Sequence, residues 1–285
     1  MTVKKVGVVG SGIMGGGITE VAAAAGHEVT LRSRELAAAE GTVSGIERSL
    51  NKRVEKGEIP VEQRDETLSR IRVTDNLHDL ADCDLVIETV VEDLATKRHL
   101  FSELDRVCHD SAILATNTST LPVVEMAMET GRADRVCGIH FFNPAPMMAL
   151  VEIVRPITVA GETISEAVEF AETCGKTPVV VEDRAGFVVN ALLFPYLNNA
   201  VRLLENGVAS MEDIDEAMKG ACGFPMGPFA LLDLVGLDTS LAILDALYEE
   251  YRDPNYAAVP RLRRMVAAEQ LGRKTGAGFY EYKRS

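Results

Sequence analysis

No apolar run in the 285-residue chain approaches the roughly 18 residues that a helix needs to cross a bilayer, which argues against a membrane span. The five cysteines, Cys83, Cys108, Cys137, Cys174 and Cys222, stand singly, with no C-x-x-C pair and no His–Cys cluster. Neither a disulfide framework nor a zinc site is therefore indicated, and they read as reduced packing residues. Positive charge is scarce: 29 Lys and Arg face 43 Asp and Glu, for a net charge of −14. Nucleic-acid and membrane-surface binding both need an electropositive face, so neither is expected as a general role. A small anionic ligand held by a few local cations remains compatible with that balance. The amino terminus passes from MTVKK straight into an apolar run, with no leader pattern, and a cytosolic location is expected. There is no tandem repeat and no low-complexity linker.

What is present is enough apolar material for a full core, 47% of residues against 25% charged, in a size range where two domains are common. Residues 1–183 alternate short apolar runs with helix-length amphipathic segments. The runs are Val6–Val9, Val29–Leu31, Leu85–Ile87, Ala112–Ala115, Val136–Ile139 and Val179–Val181; Leu94–Val107 is one of the helical segments. This alternation predicts an α/β domain, a Rossmann-like doubly wound, mainly parallel sheet with helices on both faces. From about Gly186 the period changes. Phe187, Asn190, Phe194, Leu197, Val201 and Leu204 recur at helical spacing, and further helical patterns start at Met211 and Phe229. Residues 184–285 therefore read as a smaller all-α domain, with a tight boundary near Asp183–Gly186.

Gly10-Ser11-Gly12-Ile13-Met14-Gly15 follows the first strand and opens a helix. In that context the first two glycines permit a tight turn and close approach of backbone to ligand. The third lets helix pack on strand, and the helix amino terminus faces a pyrophosphate. The second strand should end near Leu31, where NAD-preferring folds place an acidic residue on the adenosine ribose. Here Arg32-Ser33-Arg34 stands instead. A carboxylate would repel a 2′-phosphate, whereas a small hydroxyl flanked by two guanidiniums accommodates one. NADP(H) is the expected cofactor. NAD is the alternative, with Glu35 supplying the ribose contact and the two arginines merely following the strand.

A second cluster lies downstream: Asn117-Thr118-Ser119-Thr120 past one strand, Gly138 to Pro144 around His140, and Leu150 to Val154 around Glu152. Residues beyond strand carboxyl ends line the ligand crevice of an open α/β sheet. Oxidising a hydroxyl needs a base for the O–H proton, and imidazole suits neutral pH. Glu152 sits in an apolar strand where an unpaired carboxylate is costly, so it is expected to accept from His140 and orient it. Taken singly, His140 could be a structural hydrogen-bonder, Glu152 a solvent-facing edge residue and N-T-S-T a turn and helix cap. Their grouping with a dinucleotide loop favours the catalytic reading. Asn190 falls on the apolar stripe of its helix, where a buried amide must find a partner. That partner is either a structural link near the domain junction or the reacting oxygen in an interdomain cleft.

These residues together resemble the 3-hydroxyacyl-CoA dehydrogenase family, in particular its short monofunctional 3-hydroxybutyryl-CoA type. The likeness runs nearly end to end: Val8 to Gly15, Asn117-Thr118-Ser119, His140-Phe141-Phe142-Asn143-Pro144-Ala145, Gly186-Phe187-Val188-Val189-Asn190, Pro225-Met226-Gly227-Pro228 and Gly272 to Tyr280. The resemblance implies that His140 is the general base and Glu152 its partner, with Ser119 and Asn190 holding and polarising the C3 oxygen of an acyl-CoA such as acetoacetyl-CoA or 3-hydroxybutyryl-CoA. It also implies that Glu92, Lys97, Asn117 and Asn143 surround the nicotinamide half of the cofactor, that Ser49 and Lys56 contact coenzyme A, and that the chain is a homodimer through its helical domain. The chain departs from many relatives at Ser33, where they carry Asp. Two other enzyme readings compete. The β-hydroxyacid dehydrogenases rely on a lysine in the first long helix after the sheet, and there is none between Gly186 and Asn206. A dehydrogenase of a free sugar acid such as gulonate shares much of the His-centred motif. A catalytically silent nucleotide-binding protein is the non-enzyme alternative.

Overall fold

The computed structural model describes residues 3–282 and divides at Asp183–Arg184 into two compact units. The first is built on one eight-stranded sheet. Its strands are β1 (Lys5–Val9), β2 (Glu28–Arg32), β3 (Ile71–Thr74), β4 (Leu85–Glu88), β5 (Ile113–Thr116), β6 (Val136–Phe141), β7 (Leu150–Arg155) and β8 (Thr177–Glu182). The spatial order is β3-β2-β1-β4-β5-β6-β7-β8. From β1 the chain winds outward to β3, then returns to β4 on the other side of β1. That reversal leaves a crevice at the carboxyl ends of β1 and β4, where doubly wound sheets bind ligands.

β1 to β6 are parallel, β6 and β7 antiparallel, β7 and β8 parallel. Because β4, β5 and β6 are buried at every position, they read in the sequence as continuous apolar runs rather than alternating ones. β3 has no such signature. It lies at the sheet edge, its Arg72 is exposed, and Ile71 and Val73 are only half-buried, so the charged tetrapeptide escapes a pattern search.

Helices α1 (Ile13–Ala24), α2 (Leu36–Glu55), α3 (Val61–Ser69), α4 (Leu94–Val107), α5 (Val123–Ala127) and α6 (Gly161–Thr173) complete this unit. Its main core runs from Val6, Val8 and Leu31 through Ile87, Ala115 and Ile139 to Phe170. Two glycines make the junction of β1 and α1. Gly10 has φ +118°, a conformation that disfavours side chains, and a Cβ on Gly15 would lie 1.8 Å from the Gly10 carbonyl oxygen. Nothing larger than glycine lets α1 start so close to β1.

The second unit is helical: α7 (Val189–Glu205), α8 (Met211–Cys222), α9 (Pro228–Val235), α10 (Leu237–Tyr251) and α11 (Pro260–Ala267). Its core gathers Phe194, Leu197, Val201, Phe229, Leu232, Leu244 and Leu262. α7 starts two residues after the apolar stripe does, because Gly186 (φ 73°) and Phe187 (φ 47°) are left-handed and cannot belong to it.

Cys83, Cys108 and Cys137 are buried, and burial pushes the thiols of Cys83 and Cys137 up to about 12 and that of Cys108 to about 11. Among the described residues no group of three His, Cys, Asp or Glu side chains is placed to hold a metal, and no helix is long and apolar enough to cross a membrane.

Candidate active site

The antiparallel turn-back from β6 to β7 sets His140 directly opposite Glu152 in register. Residues opposite one another across a strand pair project to the same face, and here both are sealed from solvent, His140 at 4% exposure and Glu152 at 1%. His140 Nδ1 lies 2.8 Å from Glu152 Oε2, and the Phe142 ring packs at 4.6 Å between centroids. A carboxylate accepts, so in the neutral imidazole this bond takes the proton on Nδ1 and the lone pair falls on Nε2. At 3.1 Å from Nε2 lies the Ser119 hydroxyl, which can donate to it. Three side chains thus form a hydroxyl–imidazole–carboxylate line, an arrangement suited to taking a proton from, and returning it to, an oxygen beside Ser119.

The turn that carries Ser119 follows β5 and is tied down by its neighbours. Asn117 Oδ1 accepts from the Phe141 amide at 2.8 Å, fastening the turn to the strand that bears His140. Glu92 Oε1 accepts from the Ser119 amide at 3.0 Å and from the Thr118 hydroxyl. Behind Glu92, the Lys97 ammonium, 1% exposed, lies 3.2 Å from Glu92 Oε2 and 2.6 Å from Oε1 of Glu88, which has no exposed surface at all. Burial pushes the Glu88 carboxyl up, and the adjacent ammonium opposes that shift. Glu88 was invisible to pattern reading because it falls one residue past the apolar run Leu85–Ile87. The signal that could have found it is a carboxylate ending a fully buried strand.

The glycine loop forms the other half of the site. Gly10 donates its amide to the Arg32 carbonyl at 2.9 Å. The Ser11 hydroxyl donates to Ser33 at 3.0 Å, and Thr42 on α2 donates to the Ser11 carbonyl at 2.7 Å. Gly12 starts α1 without any side-chain cap, and a Cβ there would meet no atom within 4 Å. Open space over uncapped helix amides is the cradle a pyrophosphate needs. Ile13 projects outward, Met14 is half-buried, and a cleft of about 360 Å³ extends between Gly12, Ile13, Thr42, Gly45, Asn143 and Pro146. These residues fit the diphosphate of a dinucleotide.

At the end of β2, Ser33 is buried, Arg34 is exposed, and Arg32 Nε donates to the Asp75 carbonyl at 3.4 Å. Glu35, the other candidate for the ribose, is the exposed residue that precedes α2. Ser49 and Lys56 are exposed, on α2 and at its carboxyl end, and Asn143 is exposed at the head of the loop after β6. Asn190 is a buried residue in the first turn of α7, within the helical unit. A larger cleft of about 480 Å³, among Lys5, Glu28, Arg70, Arg72 and Asp82, lies toward the strand amino ends and contains none of the candidate residues.

The family model described as "3-hydroxyacyl-CoA dehydrogenase, NAD binding domain" matches residues 5–184, and "3-hydroxyacyl-CoA dehydrogenase, C-terminal domain" matches residues 186–282. The chain belongs to the 3-hydroxyacyl-CoA dehydrogenase family. It is 47% identical over 278 residues to a 3-hydroxybutyryl-CoA dehydrogenase of Clostridioides difficile, covering 98% of this chain and 99% of that one. It is 48% identical over 282 residues to the enzyme of the same name from Mycobacterium tuberculosis, with 98% and 99% covered. The solved structure of an (S)-3-hydroxybutyryl-CoA dehydrogenase from Ralstonia eutropha superposes with a TM-score of 0.97 at 39% identity, covering 99% of this chain and all of that one. As a 3-hydroxyacyl-CoA dehydrogenase family member, the chain is an oxidoreductase with a nicotinamide-cofactor domain. That domain is the unit that carries the glycine loop, Ser119, His140 and Glu152.

Proposed function

We propose that the chain interconverts short-chain 3-hydroxyacyl-CoA and 3-oxoacyl-CoA thioesters, with 3-hydroxybutyryl-CoA and acetoacetyl-CoA as substrates, NADP(H) as the preferred carrier, and a cytoplasmic homodimer as the working form. The observation that carries the reading is the line Ser119–His140–Glu152, with His140 Nε2 turned to the serine hydroxyl. The four-carbon hydroxy thioester is the one named for relatives 47–48% identical over nearly the whole chain, and acetoacetyl-CoA is its oxidised form. Exposed apolar side chains on the helical unit, among them Leu192, Val208 and Leu234, support the dimer.

The bound nicotinamide would accept or supply the hydride at C3. The chain's own groups handle the proton. In oxidation His140 Nε2 takes it from the C3 hydroxyl while Glu152, holding Nδ1–H, stabilises the imidazolium that results. In reduction the protonated imidazole returns it. Ser119, with Asn190 as a second donor, holds the C3 oxygen and stabilises charge developing there. Glu92, Lys97, Asn117 and Asn143 serve the nicotinamide half, Gly10, Gly12, Ile13, Met14 and Gly15 the pyrophosphate, and Ser49 and Lys56 coenzyme A. No carboxylate occupies position 33, and Arg32 and Arg34 flank it, which supports a 2′-phosphate there and a reductive physiological direction.

A steady-state matrix of acetoacetyl-CoA and longer 3-oxoacyl-CoAs against NADH and NADPH, with gulonate against NAD⁺ and NADP⁺, tests this. The expected result is turnover of the four-carbon thioester with NADPH favoured by a factor on the order of 10, the size of one charge-assisted contact, and reversed by Ser33→Asp. A clear NADH preference that Ser33→Asp leaves unchanged removes the NADP assignment. Turnover of gulonate alone removes the acyl-CoA assignment.

A further inference from the structure

Glu88 is the most deeply buried carboxylate among the described residues of the sheet unit, and two of its side-chain contacts lead toward Ser119. Its Oε2 accepts from the Thr116 hydroxyl at 2.7 Å, and Thr116 Oγ1 in turn accepts from the Thr118 amide at 3.1 Å. Its Oε1 accepts from Lys97 Nζ at 2.6 Å and from the Val90 amide at 2.6 Å. Lys97 passes the contact to Glu92, and Glu92 takes the Ser119 amide and the Thr118 hydroxyl. Two routes therefore leave one carboxylate, one through hydrogen bonds and one through the Lys97–Glu92 ion pair; they meet on Thr118, and the second also reaches Ser119. From there the line continues through the Ser119 hydroxyl to His140 and Glu152.

A buried, fully engaged carboxylate costs desolvation that a well-packed apolar residue would avoid, so its geometry has to be what it contributes. The turn after β5 could otherwise sample several backbone conformations, and a hydroxyl displaced by about an ångström no longer holds a reacting oxygen in line with the base. We propose that Glu88, acting through Thr116 and through Lys97–Glu92, is a positioning residue that fixes the Thr118–Ser119 turn and with it the hydroxyl facing His140. This rests on the catalytic reading of Ser119 and His140 above. Glu88 touches no ligand; its effect reaches the reaction only through the turn.

The test compares Glu88→Gln with Asp105→Asn, which weakens the partly buried Arg132–Asp105 pair (2.7 Å) elsewhere in the same unit. Turnover is measured well below each variant's Tm at saturating cofactor, and hydrogen–deuterium exchange is followed by mass spectrometry on the unliganded proteins. The proposal expects kcat of Glu88→Gln to fall about tenfold with KM for acetoacetyl-CoA within threefold of wild type. It also expects faster exchange confined to peptides covering residues 117–121, while Asp105→Asn keeps kcat within twofold. Unchanged kcat and unchanged exchange at 117–121, or equal kcat losses in the two variants, overturn it. Should Glu88→Gln fail to fold, Lys97→Met breaks one of the two routes and must show the same local exchange pattern. If the wild type turns over no acyl-CoA, the functional reading falls, and the exchange result alone decides the positioning role.

Discussion

Buried carboxylates take different partners in the two units. In the sheet unit, Glu152 and Glu88 engage side chains that can carry charge, His140 and Lys97. In the helical unit, Asp215 and Asp233 engage the backbone. Asp215 accepts from the amides of Phe229 and Ala230 at 2.8 and 3.1 Å, at the start of α9, and from the Tyr280 hydroxyl. Asp233 accepts from the amides of Phe279 and Tyr280 at 2.9 and 2.8 Å and from the Tyr282 hydroxyl. A Cβ on Gly278 would lie 2.1 Å from Asp233 Oδ1 and one on Gly227 2.3 Å from Asp215 Cγ, so the two glycine-containing motifs exist to let chain reach carboxylate. A carboxylate paired with an imidazole, as Glu152 is with His140, can support that ring as it takes up and returns a proton. One engaged by backbone amides and a tyrosine hydroxyl holds the chain in place.

The two kinds of carboxylate should differ most in their effect on turnover. His140→Gln and Glu152→Gln should each cut kcat by a factor on the order of 10² or more, the usual contribution of a positioned acid–base group, when acetoacetyl-CoA reduction is followed at saturating cofactor. Near-normal rates in both would remove the pair from the mechanism. Asp233→Asn should do the reverse. Losing charge opposite three donors costs about 3 kcal/mol in urea denaturation, while kcat per folded molecule stays within twofold of wild type. A large kcat loss without destabilisation would show that the helical unit's carboxylates are not purely structural.

The smallest effect concerns Glu20, a buried carboxylate of the sheet unit whose Oε1 has no hydrogen-bond partner among the described residues. Burial raises its carboxyl above the ordinary value of 4.5, with Arg53, 3.7 Å away, and Ser49 opposing. A raised carboxyl binds its proton more tightly in the folded chain, so its contribution to stability is full below the ordinary value and is lost as pH rises through the raised one. Glu20→Gln should therefore stabilise the chain at pH 7.5 by about 1 kcal/mol, with the gap closing toward pH 4. A difference between the two proteins that does not vary with pH would contradict this.

What could be read from the sequence follows the same division. β1, β4, β5 and β6 announce themselves because complete burial demands unbroken apolar runs, and the pairing of Glu152 with His140 was foreseeable because a carboxylate in such a run must have a partner. β3 lacked an apolar run. Phe187 looked like part of a helix because spacing carries no information about φ. Asp215 and Asp233 could not be assigned, since their partners lie 14 to 65 residues away and only the folded chain brings them near. Glu88 combined both difficulties, sitting just outside a run and drawing on Thr116, 28 residues downstream at the end of β5.

The reversal of direction between β6 and β7 has a consequence for how the chain assembles and tolerates change. Only 12 residues separate His140 from Glu152, against 21 from Ser119 to His140 and 80 from Thr89 to Val9 at the floor of the glycine loop. Closing a loop costs entropy that grows with its length, so the imidazole and its carboxylate meet across the shortest of these spans. The segment 136–155 thereby carries both residues on one antiparallel pair of strands, set between β5 and β8. Cutting the chain at any surface loop outside it leaves both members of the His140–Glu152 pair on one segment.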